Sequence, residues 1–247
     1  MIRQKDVTIG LVVPYSTDDV PAEGPILYPG IRFIPRGVGV QFLTHSGYEV
    51  AMARVLPAAE DLARQGVDAI MVIGTSLTFY RGAAFNAQLI EKIRAATGLP
   101  VSTMSSAVVD GLRTVGAQRL AVSTAYNDEV NGYLRNFLTD SGFDVLALEG
   151  FGFNGFADPH VVTEDAIIAL SNKVCAEAPK ADGLLISCGG LRTLGVAKPL
   201  EERHAIPVVS SMPVGFWAAM RLVGQSGYVP GYGRLFEHSK TAPTNSR

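Results

Sequence analysis

The chain has 247 residues, 47% of them hydrophobic and 18% charged, with a formal charge of −2. This is the profile of an ordinary globular protein of one large or two small domains, and no basic block or aromatic-interleaved stripe points to a nucleic-acid partner. No apolar run is long enough to span a bilayer, two cysteines make no disulfide framework, and Met1-Ile-Arg-Gln-Lys-Asp6 does not open a signal peptide, so a cytoplasmic monomer or small homo-oligomer without membrane attachment is expected.

Short apolar runs alternate with helical patterns along the chain. Thr8 to Pro14 reads as a buried strand, Gly47 to Gln65 as a helix, and Val67 to Ile73 as a second strand. Ala84 to Ala96 is helical, Leu99-Pro-Val-Ser-Thr103 is a short strand, and Ala107 to Val115 is helical again. The pattern then restarts. Arg119 to Thr124 is a strand and Asn127 to Asp140 a helix. Asp144 to Leu148 is a strand and Thr163 to Ala176 a helix. Gly183 to Ser187 and the run from Ile206 are strands. Such alternation predicts parallel sheets covered by helices.

The restart is also visible residue by residue. Ala69-Ile-Met-Val-Ile-Gly-Thr-Ser76 lies over Gly183-Leu-Leu-Ile-Ser-Cys-Gly-Gly190, and Leu99-Pro-Val-Ser-Thr-Met-Ser over Ile206-Pro-Val-Val-Ser-Ser-Met. This internal repeat predicts an α/β fold of two pseudo-symmetric lobes, each a parallel four-stranded sheet flanked by helices, with the active site in the cleft between them. Residues 1–112 with 213–238 form the first lobe and 113–212 the second, because a helix from Val214 to Val223 is expected to pack back on the first. The polar tail, 239–247, is expected to be disordered.

The strand ends carry the chemistry. After the second strand stand Gly74, Thr75 and Ser76; after its counterpart stand Cys188, Gly189 and Gly190. Glycines let backbone N–H groups approach a ligand, and the hydroxyls add donors, a fit for a carboxylate or an enediolate. Buried free cysteines are common core residues, but Cys188 ends a strand before two glycines, which favours a functional thiol. Cys175, inside a helical pattern, reads as packing. Tyr126 is either a packed aromatic or a phenol donor in the cleft. Pro14 shapes a strand end, and Tyr48 opens a helix and reads as simple core.

Other signals are weaker. Gly150-Phe-Gly-Phe-Asn-Gly155 spells G-x-G-x-x-G but no helix follows at once, so a flexible apolar loop is expected rather than a dinucleotide site. His45, His160, His204 and His238 lack metal-ligand spacing, so no metal or cofactor is expected. His204 reads as a surface residue. Asp18, Asp19 and Glu23 read as solvated loop residues, and Asp128 and Glu129 suit a helix N-terminus.

Four segments together resemble the aspartate/glutamate racemase superfamily, and within it the arylmalonate decarboxylases, relatives of maleate isomerase. They are Gly74-Thr-Ser-Leu-Thr-Phe-Tyr-Arg-Gly-Ala-Ala-Phe-Asn86, Thr124-Ala-Tyr-Asn-Asp-Glu-Val-Asn131, Ser187-Cys-Gly-Gly-Leu191 and Pro230-Gly-Tyr-Gly-Arg-Leu-Phe236. The resemblance runs from about Ile9 to Phe236. It implies a cofactor-independent lyase that decarboxylates a 2-aryl or alkenyl malonate to an optically active acid through an enediolate. Racemases of the superfamily carry two cysteines; here Gly74 replaces the first, which is the decarboxylase pattern. The resemblance assigns the proton donor to Cys188 and the dioxyanion hole to Thr75, Ser76, Tyr126, Cys188 and Gly189, with Gly190 adjacent. It places Pro14, Tyr48 and Gly74 at the site, and an apolar pocket at Val40, Leu43, Leu77, Phe156 and Pro159. Tyr15, Phe156 and Pro159 depart from the family's residues and bear on substrate range. The alternatives are a maleate isomerase or racemase of small dicarboxylic acids, which needs both cysteines, and a non-catalytic organic-acid sensor, which needs none.

Overall fold

The computed structural model describes residues 7–238; the tail from Ser239 lies outside the described residues. The first sheet contains β1 (Thr8–Val13), β2 (Arg32–Gly37), β3 (Ala69–Val72) and β4 (Val101–Thr103) in the order β2-β1-β3-β4. The second contains β5 (Arg119–Tyr126), β6 (Asp144–Phe153), β7 (Gly183–Ser187) and β8 (Val208–Ser210) in the order β6-β5-β7-β8. All pairings are parallel. The two halves therefore share one topology, as the repeat requires.

Central strands are apolar on both faces because helices cover both: Leu11, Val12, Ile70, Met71, Leu184 and Ile186 are fully buried. The long helix α2 (His45–Arg64) follows β2, with Thr44 capping it through the Gly47 N–H. A short α1 (Glu23–Leu27) precedes β2. After β3 come α3 (Thr75–Phe79) and α4 (Gly82–Thr97), then β4 and α5 (Met104–Thr114). The second half adds α6 (Asp128–Asp140), α7 (Glu164–Glu177), α8 (Ala197–His204), α9 (Ser211–Leu222) and α10 (Arg234–His238). Asp128 and Glu129 do sit in the first turn of α6, behind an Asn127 cap.

Helices α5 and α9 pack on each other between the sheets. The last long helix, α9, touches α1, β3 and β4 of the first half as well as β7 and β8 of its own. Its Phe216 and Trp217 are buried. This pairing fixes the separation of the two sheet ends and hence the width of the cleft.

Three segments differ from expectation. β2 is a strand despite Pro35 and two arginines; as an edge strand it does not need every N–H. The glycine-rich Gly150–Phe153 belongs to β6 rather than to a loop. There β5 is irregular between Thr124 and Tyr126, and a Cβ on Gly150 would lie 2.3 Å from the Tyr126 carbonyl oxygen. The glycine allows a close strand approach, not phosphate binding. Glu201, within the charged run of α8, is buried. Its carboxylate accepts from the N–H groups of Val208 and Arg234, tying α8 to β8 and α10.

Candidate active site

A largely enclosed pocket lies between the carboxyl ends of the two sheets, the place where α/β folds bind their ligands. Pro14 and Gly74 reach it from the first sheet and Cys188, Gly189 and Gly190 from the second. Thr75, Ser76 and Leu77 enter on α3, Tyr48 on α2, and Val40, Leu43 and Phe156 on loops. Of the residues expected at the site, the structure gathers all of these on one wall system.

Two expected residues stand elsewhere. Tyr126 is buried behind the wall, interacting with Cys188, Thr75 and Ser187; its hydroxyl is 3.4 Å from the Ser187 oxygen. Pro159 packs against Gly190 rather than lining the pocket. Tyr15, expected to bear on substrate range, lines the pocket, as do two residues that the sequence does not mark, Ile73 and Met212. Ile73 and Met212 look like core in any apolar pattern. Only their positions in the repeat, beside Gly74 and after Ser211, could have marked them.

The backbone around Cys188 is unusual. Its φ is +148°, where side chains other than hydrogen are rarely found, and Gly74 at the matching position has φ +118°. The Cys188 N–H donates to Ser211 Oγ at 3.3 Å, and the Gly190 N–H reaches Cys188 Sγ at 3.4 Å. Burial pushes the thiol up to about 11, against the opposing pull of the Gly190 N–H, the Tyr126 hydroxyl and the Leu191 N–H. At neutral pH it is therefore a protonated thiol, suited to give a proton rather than to attack.

Across the pocket, hydroxyls are poised but weakly engaged. Thr75 Oγ1 donates to Met104 Sδ at 2.9 Å, and a thioether is a poor acceptor, so an anionic oxygen outcompetes it. The first N–H groups of α3, at Thr75 and Ser76, have no carbonyl one turn back to accept them. Tyr48 is fully buried, and its hydroxyl lies toward Ser76 without forming a well-aligned hydrogen bond. Val40, Leu43, Leu77 and Phe156 give the same pocket an apolar lining.

The histidines do not join this site's inner wall. His204 bonds Asn172 at 2.7 Å and is half-buried. Among the described residues, no three His, Cys, Asp or Glu side chains converge to hold a metal. Glu23 is not fully solvated as expected: it is half-buried in α1 and lines a wider cleft outside the pocket. No helix among the described residues is long and apolar enough to cross a membrane.

Known proteins share this arrangement. The family model described as arylmalonate decarboxylase matches residues 9–236. The arylmalonate decarboxylase of Bordetella bronchiseptica is 44% identical over 233 residues, covering 94% of this chain and 97% of the relative. A maleate isomerase of Nocardia farcinica is 25% identical over 92% of this chain and 94% of its own length. Among solved structures, a liganded arylmalonate decarboxylase variant, with a glycine replaced by cysteine and a cysteine by serine, superposes with a TM-score of 0.92. It is 43% identical and covers 94% of this chain and 99% of that one. The Nocardia farcinica maleate isomerase structure, at 21% identity and a TM-score of 0.87 over 96% of this chain and 100% of that one, shares the fold. With a cysteine at one strand end, a glycine at the other and the family's pattern across nearly its whole length, the chain belongs to the arylmalonate decarboxylase family.

Proposed function

We propose that the protein decarboxylates a malonate bearing an aryl or alkenyl group at C2, and that Cys188 protonates the resulting enediolate. The observation that carries this is a buried, protonated thiol in one pocket with hydroxyl and N–H donors and an apolar lining. One carboxylate binds the N–H groups and hydroxyls of Thr75, Ser76, Gly189 and Gly190, with Tyr126 supporting from behind. The second carboxylate is pressed against Val40, Leu43, Leu77 and Phe156, where Pro14 and Tyr48 close the pocket. Loss of water destabilises that anion, whereas CO2 is neutral.

The C–C bond to this carboxylate breaks and its electron pair enters an enediolate. The donors bind that doubly charged group better than the parent carboxylate, which lowers the barrier. Cys188 then gives its proton to one face of the carbon, and the thiolate takes a proton from water. A thiolate of a group near 11 is strongly basic at neutral pH, so its recovery is favourable. Gly74 leaves the other face without an acid, giving one enantiomer. In this reading no cofactor takes part, residues 1–112 with 213–238 and residues 113–212 form the two lobes, and the enzyme works in the cytoplasm as a monomer or small homo-oligomer.

Incubation of EDTA-treated protein with phenylmalonate tests the reading. Wild type should release CO2, and Cys188→Ala should not. Turnover of maleate in place of phenylmalonate would move the assignment to an isomerase; binding of both without turnover would move it to a sensor.

A further inference from the structure

The inner pocket opens into a second cleft of about 1660 Å³, including its mouth. Tyr15, Val40, Phe156, Gly189 and Gly190 line both spaces and so form the throat between them. There the rings of Tyr15, Phe156 and His160 make a closed triangle, with centroid separations of 6.0, 6.2 and 6.1 Å. Two of these contacts are edge-to-face and the third is tilted, so the cluster offers ring edges and faces to a flat substituent lying against it. The reaction proposed above uses none of the polar groups beyond the throat.

The charged ones among them are Asp19, Glu23, Glu164 and Arg192. Arg192 is exposed and enters no hydrogen bond or ion pair among the described residues. Arg192, from the segment between β7 and α8, and Glu23, from α1, line the same cleft, and the guanidinium's charge acts on both Glu23 and His160. A guanidinium offers only donors and a carboxylate only acceptors. Three carboxylates against one guanidinium leave the cleft unfavourable to a further anion.

We infer that the outer cleft is a subsite for the far end of a long C2 substituent, one that ends in a neutral group able to both accept and donate hydrogen bonds, such as a carboxamide. The inference rests on the decarboxylase reading and names its substrate class: an extended aryl group lies in the aromatic throat, its terminal oxygen accepts from Arg192, and its terminal N–H donates to Glu23.

The test compares kcat/KM for CO2 release from three malonates: biphenyl-4-yl, its 4′-carboxamide and its 4′-carboxylate, with phenylmalonate as the reference. In the wild type the carboxamide should exceed unsubstituted biphenyl by about tenfold, the size expected of hydrogen bonds to charged groups, and the carboxylate should fall below it. Arg192→Met and Glu23→Gln should each cut the carboxamide advantage to under about threefold. Because the readout is a ratio between two substrates of one variant, general damage to the enzyme cancels. Equal values for carboxamide and unsubstituted biphenyl, or an advantage that survives both substitutions, overturns the subsite. Turnover of phenylmalonate without turnover of any biphenyl substrate overturns the subsite alone; no turnover of any of the four overturns the decarboxylase reading with it.

Discussion

β3 and β7 hold the same place in their sheets, each between the first strand of its half and a short edge strand. Each ends in a residue of positive φ, Gly74 at 118° and Cys188 at 148°. For glycine this conformation is ordinary; for a residue with a Cβ it costs about 1–2 kcal/mol. The first half thus folds without strain, and the second retains strain at the one residue with a reactive side chain. Strain of this kind persists where the surrounding structure imposes it, and it clusters at sites of chemistry. In the proposed reaction the first end supplies hydroxyls and N–H groups, and the second supplies the proton beside the N–H groups of Gly189 and Gly190. One backbone thus carries a half that binds and a half that also reacts.

The largest effect should come from removing the reacting group. Cys188→Ala should lower kcat by about 10²–10⁴-fold, the range for loss of a general acid, with the circular dichroism spectrum unchanged. A variant within threefold of wild type would make the two strand ends chemically equivalent.

The pH profile sharpens the same contrast. The proposed reaction needs the thiol protonated, and burial raises that thiol to about 11. As pH rises the fraction carrying the transferable proton falls, so kcat should stay level through neutrality and decline only as pH approaches about 11. The sign follows from the thiol being the proton donor: a thiolate nucleophile would instead gain activity over that range. Stopped assays of CO2 release between pH 6 and pH 11 separate the two.

Making the ends alike should change stereochemistry more than rate. Gly74→Cys would put a Cβ 3.3 Å from Leu77 Cβ and 3.7 Å from Pro14 Cβ, tight but without backbone collision. Cys188 already shows that a cysteine is accommodated at a strand end of this conformation. The variant should racemise its product slowly and lose about 1–2 kcal/mol of stability, a Tm drop of roughly 2–8 °C. Chiral chromatography and a thermal melt read both. A single enantiomer after long incubation would mean that position 74 does not face the second side of the reacting carbon.

Much of this contrast was legible before any coordinates, because the repeat aligned Gly74 with Cys188 and apolar runs marked β1, β3, β5 and β7. The less legible parts have physical reasons. β2 hid behind Pro35 and its arginines, which only an edge position excuses. Gly150 and Gly152 suggested a loop, since a close approach to a neighbouring strand leaves no trace in one segment read alone. α5 and α9 begin three residues earlier than their apolar periodicity, at Met104 and Ser211; for α5 the start is set by the Thr103 side chain, which accepts from the Ser106 N–H. Tyr126 belonged to the cysteine's surroundings rather than to the pocket wall, a distinction of depth that residue type cannot carry.

The smallest effect concerns how the binding half is held. Ser105 Oγ donates to the Thr75 carbonyl at 2.9 Å and lies 2.7 Å from Thr78 Oγ1. Thr78 Oγ1 in turn reaches the Gly74 and Thr75 carbonyls at 3.1 Å. All three side chains are buried. The carbonyls of residues 74 and 75 belong to the same peptide units as the N–H groups of Thr75 and Ser76, so anchoring one end aims the other. The repeat places Met212 where the first half has Ser105, and the reacting half has no such anchor at that position. Ser105→Ala should therefore cost about 1 kcal/mol of stability and lower kcat about fivefold with little change in KM, since a less firmly aimed donor loses more against the enediolate than against the ground-state carboxylate. Ser105→Thr, which keeps the hydroxyl, should restore most of the loss. A rise in KM with kcat intact would instead make the anchor a support for substrate binding alone.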